Sequence, residues 1–155
     1  MTYRITGLDP ARFAPLFGLD EAVLAAHGAA RVRVEAPNSA PCRLSLDDAP
    51  VGASMLLLSH EHQPATTPYR QQGPIFVREG ETEAATYDDT VPPAMARRVL
   101  SIRAFDAQGM MVDADVVDGA EAEAVIRRLL ARPDTDYLHA HYARRGCFAA
   151  TIRRA

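Results

Sequence analysis

Two His-x-His triplets, His60-Glu61-His62 and His139-Ala140-His141, contain four of the five histidines of this chain. Each lies at the end of a strand-like run. Side chains two positions apart on a strand point the same way, so each triplet presents two imidazoles on one face. Paired imidazoles suit acid/base chemistry or metal ligation. Neither triplet belongs to a motif with a defined mechanism, such as the His-Glu-x-x-His helix of metalloproteases.

The residues around the second triplet leave three readings open. In the structural one, His139 and His141 are packed strand histidines and Cys147 is a small buried hydrophobe. In the second, a pocket uses His139 or His141 as general base and Cys147 as nucleophile or redox thiol. Arg70 or Arg145 then orients an anionic substrate, and His60 and His62 complete the lining. In the third, one or both triplets bind zinc, iron or manganese with a carboxylate from Asp113 or Asp115. No metal ligand set follows from the sequence, and the cofactor is left open. Other chemistries lack their signatures: there is no Gly-x-Ser-x-Gly elbow, no phosphate loop and no dinucleotide fingerprint.

The elements that must position these residues are strands and one main helix. Residues 3–7 read as a short strand. Asp9-Pro10 and Asp20 each cap a short N-terminal helix, the second ending at Gly28. Residues 42–46 and 54–61 read as strands joined by a turn at 47–52. His60 and His62 continue the Leu56/Leu58 face beyond the core. The 63–74 segment, rich in proline, threonine and glutamine, is a candidate lid. A helix over about 119–132 has Asp118 as N-cap, Glu121 as capping-box partner and the apolar stripe Ala122, Val125, Ile126, Leu129 and Leu130.

Two hairpins share one design. Taking 107–109 as a three-residue loop with Gly109 left-handed pairs the even-numbered apolar residues on either side of it. That register sets Ala104 opposite Val112, Ile102 opposite Ala114, and Arg103 opposite Asp113 as an ion pair. Likewise 144–146 forms a loop ending in Gly146. His141 then faces Ala149, His139 faces Thr151, and Cys147 lies diagonally from His141.

Composition narrows the class. A chain of 155 residues predicts one domain, 1–155, with a substantial core. The net charge of −3 comes without a basic stripe, which argues against nucleic acid as a partner. No apolar run approaches the roughly 18 residues of a membrane span, and the first residues lack a signal-peptide core, so a cytoplasmic protein is expected. Cys42 and Cys147 are expected as free thiols. All seventeen basic residues are arginine and 28 residues are alanine, a bias of GC-rich codon usage that lowers the information in any one arginine.

The segments Pro41-Cys42-Arg43-Leu44-Ser45-Leu46, Glu61-His62-Gln63-Pro64-Ala65, Pro68-Tyr69-Arg70, Gly73-Pro74-Ile75-Phe76-Val77-Arg78-Glu79, Met110-Met111-Val112-Asp113-Ala114-Asp115 and Arg145-Gly146-Cys147-Phe148-Ala149-Ala150, in this order, resemble the uncharacterised bacterial domain-of-unknown-function family 1203. The chain departs from that pattern at Tyr142-Ala143, where Asn-Ala is expected. The resemblance implies a stand-alone bacterial domain and no activity. The expected architecture is α+β: a mostly antiparallel sheet built from hairpins, with the 119–132 helix packed across a face. The functional expectation is a small-molecule pocket, binding or catalytic, near the triplets. The alternatives are a protein-protein interaction module and a metal-binding protein. Exposed strand edges are compatible with a homodimer.

Overall fold

The computed structural model describes residues Met1–Ala155. Strand β1 (Tyr3–Thr6) buries Tyr3 and Ile5 and exposes Arg4, the alternation of a one-sided strand. The Asp9 carboxylate then accepts the Ala11 N–H at 2.9 Å and Pro10 starts a 3-10 turn, with a second turn over Ala14–Leu16. Helix α1 (Glu21–Ala26) is capped by Asp20, which accepts the Val23 N–H at 2.8 Å. Strands β2 (Ala30–Arg33), β3 (Ser54–Gln63) and β4 (Gln71–Arg78) form a three-stranded antiparallel sheet in that order.

The remaining elements are β5 (Thr86–Asp88), the single turn α2 (Pro93–Ala96), β6 (Val99–Phe105), β7 (Met111–Asp118), α3 (Ala122–Leu130), β8 (Tyr137–Tyr142) and β9 (Phe148–Arg154). With β1 they build a six-stranded sheet ordered β5-β1-β9-β8-β6-β7, antiparallel throughout. The fold is therefore α+β as expected, with its strands divided between two sheets. No helix is long and apolar enough to cross a membrane.

Asp118 caps the entry to α3 through the Ala120 N–H, and Ala122, Ile126, Leu129 and Leu130 form its buried stripe. That stripe closes a core with Leu100, Ile102, Ala104, Leu138, Ala140 and Ile152 from one face of the larger sheet. A second core lies under the smaller sheet, where Met55, Leu56, Leu58, Ile75 and Val77 pack with Phe13, Leu24 and Leu44. The strand period of two sends the other residues of β8, namely Tyr137, His139 and His141, to the opposite face of the larger sheet. There they meet β3.

The 107–109 loop forms as expected with Gly109 at φ 84°, whereas the second loop has four residues, 143–146, because the Tyr142 N–H donates to the Cys147 carbonyl, with Gly146 at φ 80°. Beyond each loop one extra residue changes the outcome. In β7, Phe105 pairs with Met111 but Ala104 pairs with Asp113, so Val112 is bulged. Arg103 consequently faces Ala114, and the expected Arg103–Asp113 pair is not made. Asp113 instead binds Arg132 at 2.9 Å and Asp115 binds Arg128, on the face that α3 overhangs. The slip trades one exposed cross-strand pair for one contact to α3 and one to the turn after it, and it leaves Arg103 without an acid.

In β9 the expected pairs Leu138–Ile152, His139–Thr151 and Ala140–Ala150 form, but His141 pairs with Phe148 rather than Ala149. The bulge turns the Phe148 ring onto the histidine face and leaves Cys147 in the connection before the strand. A third irregularity, between His60 and Gln63 of β3, interrupts its pairing with β4.

Candidate functional site

The two triplets meet where the sheets face each other. The His62 ring lies 4.9 Å from that of His141 and 6.1 Å from that of His139, both edge to face. Phe148 stacks nearly parallel on His62 at 5.2 Å and touches His139 at 5.2 Å. His60 packs between Phe13 at 6.0 Å and Phe148 at 6.1 Å, one step removed from the other three. In front of His62, His139 and His141 opens a recess of about 210 Å³, walled also by Arg103, Gln71, Tyr69, Arg70, Phe105 and Met111. No aspartate or glutamate lines it.

The rim is the connection 64–70, shorter than the expected 63–74 lid because β3 and β4 extend to Gln63 and from Gln71. It is pinned. The Gln63 amide donates to the Tyr137 hydroxyl at 2.8 Å, and Thr67 Oγ1 donates to the Gly109 carbonyl at 3.1 Å. Gly109 is required twice: its φ is positive, and a Cβ there would lie 2.4 Å from Ala65 Cβ.

Hydrogen bonds fix the chemistry of each ring. The Gly146 carbonyl can only accept, so His141 Nδ1, 2.9 Å away, carries the proton and Nε2 presents a lone pair. Gln71 Oε1 accepts from both His62 Nε2 at 3.2 Å and Arg103 Nη1 at 3.4 Å, which leaves His62 Nδ1 as the unprotonated nitrogen. His62 Nδ1 and His139 Nδ1 are enclosed without a partner. Nε2 of His139 and of His141 has no hydrogen-bond partner in the protein either, and both residues line the recess. Arg103 uses two of its five N–H donors, one on Gln71 and one on Ser101 Oγ at 3.3 Å.

Burial holds all four triplet histidines below the ordinary imidazole range. His139 falls to about 3, with the neighbouring His141, His62, Arg153 and Arg103 adding to the effect. His141 falls to about 4, again mainly by burial, the Gly146 carbonyl opposing and Arg103 reinforcing it. His60 falls to about 4, and His62 is lowered in spite of its bond to Gln71. Desolvation also lowers the Arg103 pKa. At neutral pH the recess holds three uncharged imidazoles beside the Arg103 guanidinium, which has no acidic partner, with the Glu61-paired Arg70 at its edge.

Of the other side chains singled out from sequence, only Arg70 reaches the recess. Arg70 stands at the rim, exposed and paired with Glu61 at 3.2 Å. Arg145 is exposed in the 143–146 loop, and Cys147 beside it points its thiol toward the Arg145 carbonyl at 3.8 Å. The β9 bulge moves Cys147 off the diagonal from His141, and it does not line the recess. Both cysteines are free. No group of three His, Cys, Asp or Glu side chains is arranged to hold a metal ion, and Asp113 and Asp115 are engaged by arginines of α3 and the turn after it.

Sequence reasoning missed Arg103, Gln71 and Phe148, whose roles depend on the bulges, and also Arg43. The Arg43 side chain is buried behind Phe148, donating to the Phe148 carbonyl at 2.7 Å and the Pro41 carbonyl at 2.6 Å, and stacking on Tyr142 at 4.9 Å. It braces the β9 bulge from behind. Its only signal in the sequence was its position between Cys42 and Leu44 in a strand-like run, where an arginine breaks an apolar pattern.

A small α+β protein with an aromatic and basic recess between two antiparallel sheets is the class these features define. The sequence model of the family described as "Protein of unknown function (DUF1203)" matches residues 39–154, and the chain belongs to that family. No curated protein and no solved structure is significantly similar to it.

Proposed function

We propose that the protein binds a small anionic molecule in the recess between His62, His139, His141 and Arg103. The observation that carries this reading is Arg103: a half-buried guanidinium with three unused donors and no carboxylate on any wall. A buried charge normally has a partner, because desolvating it alone is costly. An arginine fork matches a carboxylate or phosphate in two parallel hydrogen bonds. The surrounding imidazoles supply hydrogen-bonding capacity without adding charge.

The volume supports a ligand of few atoms, since sites for drug-sized molecules run to roughly 300–1,000 Å³. All three strand irregularities adjoin this recess, and bulges often re-aim side chains beside functional sites. Titration of ¹⁵N-labelled protein with acetate, propionate and inorganic phosphate tests the reading. Saturable shifts at residues 62, 71, 103, 139 and 141, lost in Arg103→Gln, are expected. Binding that is absent, or that Arg103→Gln leaves unchanged, refutes it and favours an interaction module.

A further inference from the structure

Resting on that anion reading, we propose that the ligand is a 2-hydroxycarboxylate, its carboxylate on Arg103 and its hydroxyl donating to His141 Nε2. Because His141 Nδ1–H is committed to the Gly146 carbonyl, Nε2 is an acceptor and nothing in the protein donates to it. The His141 side chain is 1 % exposed, so this lone pair is met by the ligand or by a confined water. His139 lacks such a constraint, its Nδ1 having no partner.

Register places the two groups for one compact molecule. Arg103 lies directly across from His139, and Ser101 lies across from His141, so Arg103 and His141 are diagonal neighbours on one face. Arg103 Nε is tethered to Ser101 Oγ, beside His141, while Nη1 is held by Gln71. A ligand that satisfies both sites needs an anion and, within a bond or two, a hydrogen-bond donor. An ammonium donor is disfavoured because the recess contains a guanidinium and no acid to receive a second positive charge. A hydroxyl is neutral and meets the requirement. An unmatched buried polar group is what lets a site reject an analogue lacking the hydroxyl.

The test uses lactate, propionate and alanine, which are alike in size, against the full chain at pH 7. Lactate is expected to bind about ten-fold more tightly than propionate, with alanine weaker than both. A long-range ¹H–¹⁵N spectrum should show the His141 Nε2 resonance moving with lactate and not with propionate, a readout that requires no variant. His141→Phe should bring the lactate-to-propionate ratio close to one while propionate binding persists, and Arg103→Gln should remove both ligands. If propionate and lactate bind equally, or alanine binds as well as lactate, the hydroxyl assignment is overturned and the anion site stands. If none of the three acids binds, both readings fall.

Discussion

Acid should unfold this protein through its own recess. A solvated histidine has a pKa near 6.5, whereas His139 is held at about 3 and His141 at about 4, both mainly by burial. The folded pKa values are depressed, so the folded state has less affinity for protons than the unfolded chain. Above pH 6.5 neither state binds the proton and stability is level. As pH falls through 6.5 the unfolded chain takes up protons that the folded recess refuses, and stability declines by about 1.4 kcal/mol per pH unit per histidine. Between pH 6.5 and 4.5 the pair costs on the order of 5 kcal/mol, against a typical total of roughly 5–15 kcal/mol. His62, shifted the same way, adds to the decline. Carboxylates contribute lower down: Glu79, held at about 2 chiefly by its bond to Arg31, loses its contribution only as pH falls below the ordinary carboxylate range. Urea unfolding at pH 7.5, 6.0 and 5.0 is the assay. The midpoint is expected to fall steadily between pH 6.0 and 5.0, and His139→Gln with His141→Gln should flatten that slope. Equal stability at pH 7.5 and 5.0, or a slope that the double variant leaves undiminished, would refute the reasoning; a smaller slope from His60 and His62 is expected to remain.

Three further outcomes are expected. Gly146→Ala and Gly80→Ala, both at positive φ with open space around the added methyl, should each cost about 1 kcal/mol. Gly109→Ala should cost more because its methyl also meets Ala65, and chemical denaturation ranks the three. Arg43→Met leaves the Phe148 and Pro41 carbonyls without their donor and should destabilise by about 3 kcal/mol, with Arg43→Lys recovering only part because a point charge cannot reproduce the fork. A double-mutant cycle on Asp113 and Arg132 should give coupling under about 1 kcal/mol, as for a partly exposed pair, while Asp113 and Arg103 should be additive; coupling in the second cycle would contradict the bulged register.

Much of the architecture was legible one element at a time. Asp9, Asp20 and Asp118 mark helix and turn starts through hydrogen bonds made within three residues, and Gly109 and Gly146 mark hairpin loops because only glycine adopts positive φ without strain. Alternation along β8 assigned Leu138, Ala140 and Tyr142 to the core and the histidines to the other face, since a strand offers only two. The same local rules could not tell that Gly80 also sits at positive φ, because the acidic 80–89 segment reads as plain loop.

What the sequence by itself determined, then, was which residues share a face on each strand and where the chain turns. The tertiary structure decided which faces meet. Alternation is indifferent to a single extra residue, yet Val112 and the Phe148–Ala149 step each move part of a strand out of its expected pairing. The choice rests on groups distant in sequence: Arg128 and Arg132 draw Asp115 and Asp113 beneath α3, and buried Arg43 holds the Phe148 carbonyl. Once Asp113 is drawn away, Arg103 has no acid and the recess has its charge. The convergence of His62 with His139 and His141 joins strands more than seventy residues apart, and long-range packing between two sheets leaves no signature in either strand alone.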